Sequence, residues 1–162
     1  MVYDIVIEPN PILHAPSAPV APEEIKSREM QKFVKDMVET MYVKNGVGLA
    51  AVQVGRPIQL FTLVREYNDL NKYEDLVLFN PTWKKLTLRG LTDEEGCLSV
   101  PAVYGQRKRA AKIRVTGLDR NGKKIEFIAD NFFARIIQHE IDHLNGHLYI
   151  EKAARLRRVV PQ

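Results

Sequence analysis

The sequence holds one cysteine, Cys97, among 162 residues, so no disulfide can close within the chain. A lone thiol leaves three roles: a buried structural side chain, a reactive thiol or a metal ligand. By frequency alone burial is favoured, because free cysteine is among the most buried residue types. No apolar run approaches the roughly 20 residues that cross a bilayer, which argues against a membrane partner. A secretory signal is lacking as well, since Asp4, Glu8 and Pro9 stand where a basic start and an apolar stretch are needed. These absences make the cytosol the default location, with an organelle left open. There are no repeats, no low-complexity stretches, no zinc finger, no RNA-recognition motif and no phosphate loop. The net charge of +4 therefore does not by itself make a specific nucleic-acid reader. Basic residues gather in Arg107-Lys108-Arg109 and at Arg155, Arg157 and Arg158. The plain reading is a solvated face, and the sharper one is an electrostatic footprint for RNA or another polyanion.

What is present is the composition of a globular protein, 45% apolar and 27% charged. The length suits one domain, residues 1–162, large enough to close a hydrophobic core. Pro9, Pro11, Pro16, Pro19 and Pro22 predict an extended first two dozen residues, since each removes a backbone donor and disfavours helix before it. Ile25, Met30, Phe33, Val34, Met37, Val38 and Met41 then follow the spacing of an amphipathic helix. Asn45-Gly46 ends it, with Gly46 expected in the left-handed cap conformation. Short strands are expected at Ile58–Val64 and Leu76–Phe79. Ile113–Leu118 and Lys124–Ile128 flank Asp119-Arg120-Asn121-Gly122, a hairpin signal. A second helix begins near Asp130 or Asn131 and runs to about Leu144, with Gly146 helping to end it. This order predicts an α+β fold, mainly antiparallel sheets around a central helix, with an amphipathic helix towards the N-terminus.

That central helix carries the chemistry. His139-Glu140-Ile141-Asp142-His143 fits the pattern H-E-x-x-H. Residues four apart share a helix face, with Cβ atoms roughly 5–6 Å apart, so both imidazoles can grip one metal ion. Glu140 can reach a water held by that metal and act as general base. The plain alternative is an amphipathic helix with two incidental histidines. Against it, His139 and His143 are half of the four histidines, and they frame a glutamate. A catalytic metal ordinarily has a third protein ligand, for which another histidine, an acidic residue or Cys97 is available. Cys97 lies in Glu95-Gly96-Cys97-Leu98-Ser99, read as an acidic, small-residue turn. A thiolate suits zinc or iron(II), and coordination would explain a lone cysteine in polar surroundings. The segment Gly46-Val47-Gly48-Leu49-Ala50-Ala51-Val52-Gln53 reads first as a tight turn. Its small residues also permit close approach to a ligand, and Gln53 could donate to a developing oxyanion. These features describe a metal-dependent amide hydrolase.

Taken together, Gly46-x-Gly48-Leu49-Ala50-Ala51-x-Gln53, Glu95-Gly96-Cys97-Leu98-Ser99 and Gln138-His139-Glu140-x-Asp142-His143-Leu144 resemble the three signature motifs of the peptide deformylase family. The likeness runs from about residue 3 to residue 152. It implies hydrolytic removal of the formyl group from the N-terminal formyl-methionine of nascent polypeptides, releasing formate. It also implies that Cys97, His139 and His143 hold the metal, iron(II) first, with zinc, nickel or cobalt able to take its place. Glu140 would then move the proton, while Gln53 and the backbone N–H of Leu98 stabilise the oxyanion. Losing one such donor typically costs about 10²–10³ in rate. Val47 and Gly48 would line the substrate cleft, where the peptide backbone can add as a strand. A methionine-sized apolar pocket near the second helix would supply selectivity, and Arg109 would pair with Glu95. Three departures stand out. Val52 replaces the family's usual proline before the glutamine, and Tyr104 stands where some relatives have a peptide-contacting arginine. The chain also ends soon after Ile150, without the longer C-terminal helix of some members, so ribosome docking would fall to the basic tail, residues 155 to 162.

Overall fold

The computed structural model describes residues 1–160; the last two positions of the basic tail, 161 and 162, lie outside the described residues. Helix α1 spans Pro22–Ile25 and α2 spans Arg28–Val43. Ser27 caps α2, its hydroxyl accepting from the Met30 N–H at 3.1 Å. The predicted apolar stripe is the buried one: Met30, Phe33, Val34, Met37 and Met41 all face the core. The end differs from expectation. Asn45, not Gly46, takes the left-handed conformation, at φ 56°. Asparagine tolerates that region, and Gly46 serves packing instead: a Cβ there would lie 2.9 Å from Leu98 Cδ1. The proline-rich start is not wholly extended, since Pro11–His14 forms a 3₁₀ turn and α1 begins at Pro22. Proline is well suited to a first helical position, which has no intrahelical partner for an N–H.

Five strands build the larger sheet: β1 (Gly48–Ala50), β2 (Leu60–Leu63), β3 (Leu76–Lys85), β6 (Lys112–Leu118) and β7 (Lys124–Asp130). They lie in the order β1-β2-β3-β6-β7 with every pairing antiparallel. The β6–β7 turn is the predicted one. Gly122 has φ 77°, and the Asp119 carboxylate accepts from the Asn121 and Lys123 N–H groups. Alternation along β2 and β3 explains their unbroken apolar runs. Leu60, Val77 and Phe79 pack with α2, whereas Phe61, Leu63, Leu76 and Leu78 pack on the opposite face. That opposite face is covered by α3 (Asn131–Leu144), through Phe133, Ile136, Ile137, Ile141 and Leu144. The helix bearing H-E-x-x-H is thus central, as expected. Asp130 precedes it without forming a side-chain cap.

A second sheet, in the order β4-β5-β8, has strands β4 (Gly90–Cys97), β5 (Val100–Ala110) and β8 (Ala154–Arg158). Glu95-Gly96-Cys97 is therefore the end of a strand, not a free turn. The register between β4 and β5 shifts between Gly96 and Cys97, and such irregularities re-aim a side chain. The basic tail is not simply a solvated extension. Arg157 on β8 grips Glu94 through two hydrogen bonds, 3.0 Å and 2.7 Å, and its guanidinium lies 5.1 Å from the Tyr104 ring centroid. Among the described residues no helix is long and apolar enough to cross a membrane.

Candidate active site

Three elements meet at one point. Helix α3 carries His139 and His143 one turn apart, with their ring centroids 5.0 Å from each other. The end of β4 brings Cys97, whose Sγ is 3.3 Å from His143 Nε2. One ligand atom from each of Cys97, His139 and His143 lies within 4.8 Å of the others. The 3₁₀ turn Ala51–Val54, following β1, delivers Gln53. Its Nε2 is 3.5 Å from Cys97 Sγ and 3.1 Å from Ser99 Oγ, while its Oε1 accepts from the Ala50 N–H at 2.9 Å. The N-terminal segment braces this corner: Val6 N–H donates to the Gln53 carbonyl and Glu8 N–H to that of Ser99. Gln53 is accordingly held from both sides, with Val52 before it.

Glu140 points towards the same place from the buried side of α3. Its Oε2 is buried and has no hydrogen-bond partner. Burial, acting against its charge, pushes its pKa up to about 7. Glu140 also presses on β1, because a Cβ on Gly48 would fall 2.5 Å from its Oε1. Val47, Gly48, Leu98, Tyr104, Phe132 and Ile136 are among the residues lining a cleft of about 470 Å³ that opens beside Cys97, His139 and Glu140. Strand β1 is the edge of its sheet, and its Gly48 end borders this cleft.

The donor set suits a divalent ion. A thiol and two imidazoles are the ligand types that zinc or iron(II) take. His139 Nδ1 is bonded to Glu95 Oε1 at 2.8 Å, which turns its other nitrogen towards the thiol side. Burial works against a charged His139, but hydrogen bonds to Cys97 and Glu95 outweigh it and hold its pKa at about 10. His143 is pushed well below its ordinary value by burial and by His139 and Arg109, which keeps the imidazole neutral, the form that binds metal.

Around these groups lies a buried charge network that the sequence showed only in part. Arg109 grips Glu95 bidentately, at 2.9 Å and 2.8 Å, and reaches Asp142 at 2.5 Å. The Arg109–Glu95 pair was expected, although Arg109 is buried rather than part of a solvated basic face. The role of Glu95 as partner of His139 was not foreseen, nor were Arg135 and Asp142. The sequence offered only a weak signal for Arg135, a charge flanked in the chain by the buried Ala134 and Ile136.

An H-E-x-x-H helix meeting a strand-borne thiol in a cleft defines a single-site metallohydrolase. The sequence model for polypeptide deformylase matches residues 2–159, and the chain belongs to that family. It is 41% identical to the peptide deformylase of Bartonella quintana, over 95% of this chain and 85% of that protein. It is 43% identical to peptide deformylase 1A, chloroplastic, of tomato, over 93% of this chain, and spans only 59% of that longer protein. Among solved structures, a Met-Ala-Ser-bound class I type b peptide deformylase from Acinetobacter baumannii superimposes with a TM-score of 0.87 at 34% identity, covering 94% of this chain and 98% of that one. The enzyme from Thermotoga maritima gives 0.86 at 31% identity, covering 95% and 99%.

Proposed function

We propose that this chain hydrolyses the N-formyl group of formyl-methionyl peptides, with Cys97, His139 and His143 holding one divalent ion, iron(II) before zinc, nickel or cobalt. The observation that carries the ligand assignment is the convergence of one thiol and two imidazoles within 4.8 Å, beside a buried glutamate that has an unpartnered oxygen. When bound, the ion supplies Lewis-acid polarisation of the formyl oxygen and brings water within reach of deprotonation near neutral pH.

The protein groups do the rest. Glu140, with its pKa near 7, accepts a proton from the attacking water and returns it to the leaving amine. Gln53 Nε2 and the Leu98 N–H serve as donors to the developing oxyanion in this reading. Val47 and Gly48 present the β1 edge, on which an extended peptide backbone can add as a further strand. Phe132 and Ile136 give the cleft an apolar wall for the methionine side chain. Residues 1–162 act as one domain, in the cytosol or in an organelle where formylated chains are made. Ribosome contact belongs to the same proposal and is assigned to Arg155 and Arg158, since Arg157 is already engaged by Glu94. It is tested by co-sedimentation of an Arg155→Glu, Arg158→Glu variant at physiological salt, where unchanged binding would remove the tail from the contact.

The deciding experiment combines metal analysis of anaerobically purified protein with formate release from formyl-Met-Ala, acetyl-Met-Ala and Met-Ala. One ion per chain and formate from the first peptide alone are expected. Cleavage of internal peptide bonds without formate would overturn the reading.

A further inference from the structure

Arg135 lies on α3 one turn before His139 and is 4% exposed. Its Nη1 donates to Glu95 Oε2 at 2.6 Å and to the Arg107 carbonyl at 2.8 Å, and its Nη2 donates to the Leu91 carbonyl at 2.6 Å. All three acceptors belong to β4 and β5. The same β4 ends in Cys97, while α3 carries both imidazoles. One guanidinium thus ties the strand that delivers the thiol to the helix that delivers the histidines. Glu95 completes the link: Oε2 accepts from Arg135 and Arg109, and Oε1 accepts from Arg109 and pairs with His139 Nδ1.

Fold stability alone is a poor account of this arrangement. Replacing buried ion pairs by well-packed apolar side chains of similar volume is often neutral or stabilising. Arg109 already meets Glu95 bidentately, so neutralising that carboxylate does not need a second arginine. What Arg135 adds is geometry, a planar fork with fixed donors spanning two strands and a carboxylate.

We propose that Arg135 is a positioning residue of the metal centre. Through Glu95 and the two strand carbonyls it fixes the spacing between Cys97 and the His139 imidazole, and so sets how firmly the site holds its ion. The inference rests on reading Cys97, His139 and His143 as the ligands. Side chains that orient metal ligands typically cost about 10–100-fold in metal affinity or activity when replaced.

The test is loss of cobalt(II) to excess chelator, followed by the thiolate–cobalt absorption of the loaded protein, with far-UV circular dichroism as the check on folding. Arg135→Met is expected to release cobalt about 10–100-fold faster than the parent chain. Arg135→Lys, which keeps the charge but not the fork, is expected to fall between. In a Glu95→Gln background the Arg135→Met change should add little, because both act on one network. With formyl-Met-Ala, kcat should fall by more than KM rises. Cobalt release within about twofold of the parent would overturn the proposal, as would Arg135→Met and Glu95→Gln effects that simply multiply. A raised KM with unchanged cobalt release would make Arg135 a wall of the cleft instead. If Arg135→Met does not fold, Arg135→Lys carries the same criteria. A parent protein that takes up no cobalt would sink the ligand assignment itself, and this inference with it.

Discussion

Gly48 on β1 and Glu140 on α3 are in such close contact that a Cβ on the glycine would fall 2.5 Å from the carboxylate Oε1. The absence of a side chain at position 48 therefore sets where the carboxylate proposed to transfer the proton stands. Gly48→Ala is expected to displace the Glu140 carboxylate while leaving the fold and the bound metal in place. A misplacement of about 1 Å can cost roughly 10²-fold in rate. Steady-state kinetics on formyl-Met-Ala should show that loss mainly in kcat, and an alanine variant with full kcat would separate the contact from catalysis.

Glu140 has an unpartnered buried oxygen, so its removal leaves no stranded partner behind. Glu140→Ala is expected to retain one metal per chain and to fold normally. Activity should fall by about 10²–10⁴, the usual range for a positioned general acid–base group. Normal turnover by this variant would show that the proton travels elsewhere.

In the proposed site Cys97 is the one sulfur ligand beside the two imidazoles of His139 and His143. Cys97→Ala is expected to bring metal content after dialysis close to zero and formate release down with it. Elemental analysis of the purified variant checks this, and an unchanged metal content would remove Cys97 from the ligand set. The protein should remain folded, because the main core between α2, the larger sheet and α3 does not include this residue.

How much of this was legible beforehand follows from the range of each interaction. The i, i+4 spacing of His139 and His143 is local helix geometry, so their shared face could be read directly. The apolar stripe of α2 and the Asn121-Gly122 turn are local in the same way. The long β4–β5 pairing was not read, because Thr92, Asp93 and Glu94 are exposed and break any apolar alternation along β4. Glu95 and Arg135 are 40 residues apart, and nothing local to either says that the other will meet it. The left-handed cap passed to Asn45 because Gly46 is needed where its missing Cβ lets Leu98 approach. Local chemistry carried the two long helices, the β6–β7 hairpin and the motif residues. The charge network around the site is a property of the assembled fold.

Asp36 tests that assembly away from the catalytic centre. Its largely buried carboxylate on α2 accepts from Lys32 Nζ at 2.6 Å and from the N-terminal ammonium at 2.8 Å. Those bonds, Lys32 first, hold its pKa at about 2, below the ordinary value of 3.8. A carboxylate depressed in the folded state binds protons more readily when the chain unfolds. Its stabilising effect is therefore complete above the unfolded pKa and is lost as pH falls through the folded one. The window runs from about pH 4 down to about pH 2. Asp36→Asn removes the charge at every pH, so it should lower the urea midpoint relative to the parent chain at pH 7. At pH 3 that difference should shrink to roughly half, since the parent carboxylate has by then lost about half its contribution. Urea titrations at the two pH values give the comparison directly. An equal difference at both would mean that Asp36 contributes through packing and neutral hydrogen bonding, not through its charge.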